Sequence, residues 1–353
     1  MNNDGKPSSP QPRRLAGTMR WRALLSLLIL TAVSLYPLIL LPSLDQPSPT
    51  AQADVMYSAT LLEQILRGDN NTGNLSPPPQ GPPDESLWLT STSRPAPTGK
   101  IPRIINKLYF QKNGRFNSAG LPEDLRQAHE SWRDLNPGYN LRYFNLVDAR
   151  RYLATHFHPT FLRTFDCIEA FAGKADFFRI ALLYRDGGYH SDWKQVCLAP
   201  GILDEISAQT DFFAAIDLGF AYALATRSCA ANAFVGSVPR HPIAARYLDL
   251  AMRNVQASSY PENTLLATGP CLFGNAIRII DPTFGREGNE TKFGTYENNH
   301  FYYRNRTIIQ HKCCGDHLLP WYYGQDWDGG NNYNILFNEK RYYCQDAMMI
   351  FET

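Results

Sequence analysis

Between Lys174 and Cys197 the chain reads KADFFRIALLYRDGGYHSDWKQVC, and three charged residues in it stand at spacings that chemistry can use. Asp176 and Arg179 lie three apart, so on a helix they share one edge. Asp192 follows sixteen residues after Asp176, on the segment next in line. Carboxylates brought together can hold a hard cation through oxygen. Two of them are also the minimum equipment for glycoside cleavage.

The elements that must position these groups are readable from periodicity. Phe177, Ile180, Ala181 and Tyr184 recur at helical spacing, which predicts a helix from Lys174 to about Arg185 with an apolar face. Gly187 and Gly188 suit a helix stop and a tight turn into a strand. That strand carries Tyr189, His190, Ser191 and Asp192.

The surroundings alternate in the same way. Ile101–Phe110 reads as a first strand, with Asn106 near its far end. Leu121–Leu135 reads as a helix with Trp132 on its apolar side, and Asn136–Tyr139 (NPGY) as a turn. Strands are expected at Leu141–Phe144, Asp211–Asp217, Tyr222–Thr226 and Phe301–His311. Helices are expected at Val147–His156, Pro242–Val255 and Cys271–Ile280. Such alternation means an α/β domain with a mixed, mainly parallel sheet. Ligands of such sheets bind at the carboxyl ends of strands, where this reading puts both Asn106 and Asp192.

The chain has 353 residues, with 34 basic and 33 acidic side chains and a formal net charge of +1, which leaves no basic excess for a general nucleic-acid binder. Residues 1–22 are polar and end in a basic cluster, Arg13, Arg14, Arg20 and Arg22. Ala23–Leu41 is uncharged and apolar-rich. As a helix it would span about 28 Å, close to the hydrocarbon thickness of a bilayer. With the basic flank on the N-terminal side, the expectation is a signal anchor with residues 1–22 in the cytosol and the bulk of the chain in the lumen. A cleaved signal peptide is the competing reading, weakened by the length of the apolar run and by the sequence Leu41-Pro42-Ser43. Residues 42–100, rich in Pro, Ser, Thr and Gly, read as a flexible stem, and 101–353 as the globular domain. Sequons start at Asn70, Asn74, Asn289 and Asn305. All seven cysteines lie beyond residue 160 with no CxxC pair, which argues against zinc. The vicinal Cys313 and Cys314 would be strained if joined, so each is expected to pair elsewhere, and one thiol must stay free or intermolecular.

The segments IPRII, SWRDLNPGYNLRYFN, ADFFRIALLYRDGGYHSD and TGP, followed by a late histidine, resemble glycosyltransferase family 32. This family is related to initiating mannosyltransferases and inositol-phosphoceramide mannosyltransferases. The resemblance covers roughly Ile101–His311, and Ala175–Asp192 carries its most specific part. It implies a GT-A-like fold, a nucleotide-sugar donor, a glycan or lipid acceptor, retention at the anomeric carbon and usually Mn²⁺ or Mg²⁺. Asp176 and Arg179 would then grip donor-sugar hydroxyls, with Gly187, Gly188, Tyr189 and Asn106 beside them. Asp192 would be the first acid of the DxD motif. The anchor-and-stem layout also fits a Golgi membrane enzyme.

The sequence departs from the family at Asp192-Trp193-Lys194, where Lys194 replaces the second acid. Three readings stay open. Asp192 holds the metal with a distal ligand, His311 being the best candidate. Or Lys194 supplies the cation itself, since alternate residues on a strand share a face. Or donor chemistry is lost, leaving a membrane-anchored glycan- or nucleotide-sugar-binding protein. His190 stands where the family has Tyr and reads as facing away from Asp192's neighbours or as touching substrate. A second acid pair, Asp326 and Asp328, lies in a Gly/Asn-rich stretch that reads as a polar turn or a further carboxylate source. Trp132, Trp193 and Trp321 read as core, and Asp217 as a candidate acceptor contact. Each charged residue also has an ordinary structural reading, Asp176 as a helix-dipole acid and Asp192 as a turn residue.

Overall fold

The computed structural model describes residues 88, 99–110, 122–219, 229–286, 292–314 and 331–345, all within one compact unit, Asn70–Thr353. The cytosolic tail, the apolar run 23–41, most of the stem, the strand expected at 222–226, Trp321 and the acid pair at 326 and 328 lie outside the described residues. Among the described residues no helix is long and apolar enough to cross a membrane.

The elements run β1 (Ile104–Tyr109), α1 (Glu123–Leu135), β2 (Asn140–Asn145), α2 (Leu146–His156), α3 (Pro159–Cys167), α4 (Phe171–Asp186), β3 (Gly188–Ser191), β4 (Val196–Cys197), α5 (Ile202–Ser207), β5 (Phe212–Asp217), β6 (Ala230–Ser237), α6 (Pro242–Gln256), α7 (Pro270–Ile280), β7 (Gly294–Glu297), β8 (His300–Tyr303), β9 (Arg306–Gln310) and α8 (Tyr333–Asn338). The strands form one sheet in the order β2-β1-β3-β6-β5-β7-β8-β9-β4. Only β1/β2, β1/β3 and β5/β7 pair in parallel. The other five pairings are antiparallel, so the expected mainly parallel sheet is corrected to a mixed one.

The reason lies in strands that periodicity did not separate. The stretch Phe301–His311, read as one strand, is a hairpin. Arg304 and Asn305 both take positive φ, at 49° and 59°, as a two-residue hairpin loop requires. Asn298 and Asn299 do the same between β7 and β8, at 49° and 61°.

One short connection shapes the whole sheet. β3 is third in the strand order and β4 is last, six strand spacings away. Six spacings in a flat sheet would be about 29 Å. The chain from Ser191 to Val196 reaches at most about 18 Å. The sheet must therefore curl until its β9–β4 edge returns to the end of β3.

Strand alternation sorts side chains into two layers. On β5, Phe212, Ala214 and Ile216 join the core formed with α2, α3, α4, α6 and α7. Phe213 and Ala215 join the opposite core, with Trp132 of α1 and Ile202, Leu203 and Ile206 of α5. On β3, Tyr189 enters the second core, where it stacks on Phe234 at 5.9 Å and donates its hydroxyl to Leu203 O at 2.7 Å. His190 turns the other way, towards α4.

Helix α4 begins three residues earlier than its apolar pattern suggested, at Phe171, and is buried nearly all round. It stops at Gly187, whose N–H donates to Leu183 O at 2.8 Å. Gly187 and Gly188 take φ of 68° and 92°. A Cβ on Gly188 would stand 2.7 Å from Ile104 O, so β3 lies against β1 only because no side chain is present. Disulfides join Cys167 to Cys344 and Cys229 to Cys271. Cys313 and Cys314 are bonded to each other, which corrects the expected pairing with distant partners. Their neighbourhood is closed by Trp193, Tyr109, Leu125 and Ala128, so among the described residues the two sulfurs meet one another. Cys197 is the free thiol, and it is buried.

Candidate functional site

Arg179, on the α4 edge that faces β3, reaches both acids. Its Nη2 lies 3.2 Å from Asp176 Oδ1 and its Nη1 3.2 Å from Asp192 Oδ1. Nη1 also donates to Asn232 O of β6 at 2.7 Å. Asn232 Nδ2 in turn donates to Asp176 Oδ1 at 2.8 Å. His190 Nε2 donates to Asp192 Oδ1 at 2.9 Å. His190 and Asp192 therefore share one face, and the expectation that His190 looks elsewhere is corrected: two residues apart on an extended chain means the same side.

The two acids differ in character. Burial pushes the Asp176 carboxyl up to about 7, with Arg179 and Asn232 opposing only part of that cost. Burial also works against charge on Asp192, yet Arg179 and then His190 outweigh it and hold the carboxyl well below its ordinary value. The site thus carries one firmly ionised acid and one that titrates near neutrality. For Asp176 the sign is fixed: the unfolded chain releases this proton near 3.8 and the folded chain near 7, so the folded state binds more protons between them. Stability falls as pH rises through that window. Asp176→Asn, which keeps the acceptor oxygen, should remove this decline. Thermal midpoints followed from pH 4 to 8 should then differ in slope between the two proteins; parallel curves would mean that Asp176 is ionised throughout.

Asp192 is also held from below. On β1, Lys107 points to the second core, fully buried, with its Nζ 5.0 Å from the Trp132 ring centroid. Nζ donates to Ser191 Oγ at 3.0 Å and to Asp192 O at 3.1 Å. Burial lowers this ammonium to about 7 while Asp192 pulls it back up. A lysine next to Asn106 inside the mostly apolar IINKLY strand was the sequence signal that could have found it. Asn232 had none, because its strand was not read at all.

Residues 192–195 form a turn, with Gln195 N donating to Asp192 O at 3.2 Å. Strand alternation therefore does not carry past Asp192, and Lys194 is placed by the turn rather than on the Asp192 face. It is partly exposed, and its carbonyl accepts from Cys313 N at 3.0 Å. His311 comes in from the end of β9 across the curled edge, with Nδ1 3.0 Å from Gln195 Nε2. Burial lowers its pKa to about 4, with Asp192 raising it and Lys312, Arg179 and Lys194 lowering it further.

The other predicted site residues are held elsewhere. Asn106 sits mid-strand and fully buried: its Nδ2 donates to Tyr189 O at 3.1 Å and its Oδ1 accepts from Arg142 Nε at 2.9 Å. Both ends of its amide are spent on the sheet, and the expected strand-end position is corrected. Tyr189 is in the second core, and Gly187 and Gly188 are close-packing positions against Pro102, Pro239 and Ile104. Trp132 and Trp193 are core, as expected. Asp217 is buried at the end of β5.

DXD-containing enzymes generally use divalent cations. The described residues here do not fit one. They include no group of three His, Cys, Asp or Glu side chains placed to hold an ion. The single motif acid already shares one oxygen between Arg179 and His190, and His311 meets an amide nitrogen.

Parts of the chain are similar to known proteins. Residues 122–213 match the family model described as a glycosyltransferase sugar-binding region containing a DXD motif. The chain is 29% identical over 178 residues to an uncharacterized glycosyltransferase of Acanthamoeba polyphaga mimivirus, covering 50% of this chain and 64% of that relative. It is 26% identical over 294 residues to inositol phosphoceramide mannosyltransferase 2 of Schizosaccharomyces pombe, covering 80% of this chain and 73% of the relative. Among solved structures, PaToxG glycosyltransferase matches at 17% identity and a TM-score of 0.37, over 52% of this chain and 71% of that one. Residues 122–213 are thus similar to the sugar-binding region of DXD-containing glycosyltransferases, and the chain spans less than two thirds of the mimivirus relative's length.

Proposed function

We propose that the protein transfers a hexose from a nucleotide sugar to a glycan or lipid-linked acceptor, with retention at the anomeric carbon. One observation carries the reading: Asp192 is clamped in ionised form at the end of β3 by Arg179 and His190, with a third of its side chain, 34%, still open. An ionised, pre-oriented carboxylate at a strand end can accept a hydrogen bond from a sugar hydroxyl at little reorganisation cost. A departing nucleoside diphosphate needs positive charge nearby. Arg179 is neutralised by its two acids. Lys312 and Lys194, both close enough to depress His311, are cations beside the site, and Lys194 is the one that replaces the second acid of the motif. The similarity to a mannosyltransferase, the apolar run at 23–41 and the Pro-rich stem support a single-pass Golgi enzyme with residues 101–353 in the lumen.

The test uses the full-length chain with a panel of nucleotide sugars and glycan and glycolipid acceptors, with Mn²⁺ and with chelator. Nucleoside diphosphate release and sugar transfer should both appear and should persist in chelator. Lys194→Asp should make turnover depend on added metal. Transfer of no sugar would sink the hexosyltransferase reading and leave the nucleotide-sugar-binding alternative. Turnover lost in chelator would sink the role given to Lys194.

A further inference from the structure

Beneath the site a buried chain of hydrogen bonds runs from β1 to the end of β9, and its polarity is fixed at one end. As an ammonium, Lys107 Nζ is a donor only, so Ser191 Oγ accepts from it at 3.0 Å. Ser191 must then place its own proton. Asp192 O lies 3.4 Å away and already accepts from Lys107 Nζ and Gln195 N, which use both lone pairs. Gln195 Oε1, at 2.8 Å, is the acceptor left. That sets the amide so that Nε2 faces His311, at 3.0 Å. An amide N–H can only donate, so His311 Nδ1 accepts and the ring proton resides on Nε2. Ser191 and Gln195 are both fully buried, so water does not compete for these bonds.

We propose that Lys107, Ser191 and Gln195 are positioning residues that lock His311 in its Nε2–H form, so that it meets the donor diphosphate as a hydrogen-bond donor rather than a cation as a ligand. The inference rests on the nucleotide-sugar reading of the site. A histidine that ligates a metal through Nε2 needs the opposite arrangement, with Nδ1–H donating to a carbonyl or carboxylate. Gln195 presents the wrong group for that. His311 is tied to the site by the hydrogen-bonded path through Gln195 to Ser191, the neighbour of Asp192. The relay links β1 and the end of β3 to the segment after β9, which the curl of the sheet brings together.

The experiment reads the tautomer first and the ligand second. In full-length protein labelled with ¹⁵N-histidine, at about pH 6, His311 is neutral and Lys107 charged. The His311 signals, assigned by their loss in His311→Gln, should show a bare Nδ1 and a protonated Nε2. Gln195→Glu, which turns the donor into an acceptor, should move a proton onto Nδ1. Ser191→Ala should yield a mixture of tautomers. A protonated Nδ1 in the unaltered protein, or no change in either variant, would overturn the relay, whatever the enzyme does. Calorimetric titration with UDP and GDP in chelator should then show binding of one of them. Ser191→Ala should weaken that binding by about tenfold, the worth of one hydrogen bond to a charged group. If the tautomer is as expected but neither nucleotide binds, the nucleotide-sugar reading fails and the diphosphate role of His311 fails with it. Gln195→Glu should bind Mn²⁺ more tightly than the unaltered protein, and binding that is no tighter would overturn the claim that Gln195 keeps a cation off His311. Equally tight Mn²⁺ binding by the unaltered protein at His311, seen as its loss in His311→Gln, would overturn the proposal.

Discussion

Arg179→Met should destabilise the protein by about 3–5 kcal/mol, the usual consequence of removing one partner from a buried ionic group. The methionine fills similar volume but leaves Asp176 and Asp192 facing each other without a cation. Arg179 is 6% exposed, so water cannot take over its role. The change also strips Asn232 O of its donor. Denaturant unfolding measures the effect, and adding Asp176→Asn to the methionine variant should recover part of it. The recovery separates lost charge pairing from lost packing, because only the former responds to neutralising an acid. A loss below about 1 kcal/mol would show that the triad is a solvated surface pair in solution.

Asp192→Asn should lower sugar transfer by about 10²-fold or more, the scale seen when one pre-organised electrostatic group is removed from an active site. The substitution keeps shape and one acceptor oxygen but gives up the negative charge that orders Arg179 and His190. Stability should fall as well, since a carboxyl whose folded pKa lies below its unfolded one contributes stability above the unfolded value and loses it as pH falls through the folded one. The two effects are separable: steady-state rates with saturating donor report transfer, and thermal midpoints report the fold. Turnover within threefold of the unaltered protein would make Asp192 a structural counter-ion and move the chemistry elsewhere.

A good part of this site was readable in the sequence. Helical periodicity put Asp176 and Arg179 on one edge, and they meet at 3.2 Å. The glycine pair marked the stop of α4 and the start of β3, and the short link between them keeps Asp192 within reach of Arg179. These relations span a few residues, and the local geometry of a helix or strand fixes them whatever the rest of the chain does.

Other features depended on partners far along the chain. Asn106 looked like a strand-end polar residue, yet register places it opposite His190 and Arg142, where the sheet consumes its amide. Lys194 was assigned a face by alternation, but a turn begins at Asp192 and alternation ends. Asn232 completes the Asp192–Arg179–Asp176 cluster from a strand whose pairing no local pattern reveals, whereas His190 joins it from two residues before Asp192.

The amino-acid sequence alone determines the helix-glycine-strand unit, the spacing of its acid and base, and the similarity of residues 122–213 to a glycosyltransferase sugar-binding region. It also carries the apolar run and the stem on which the proposed membrane location rests. Tertiary structure decides how the sheet curls, and with it the meeting of His311, Gln195, Ser191 and Lys107 beneath Asp192. The physical reason is range. Side-chain periodicity is a property of a few consecutive residues, whereas hydrogen-bond polarity and burial are set by strands brought together from positions 107, 191 and 311, and only their packing excludes the water that would otherwise satisfy each group separately.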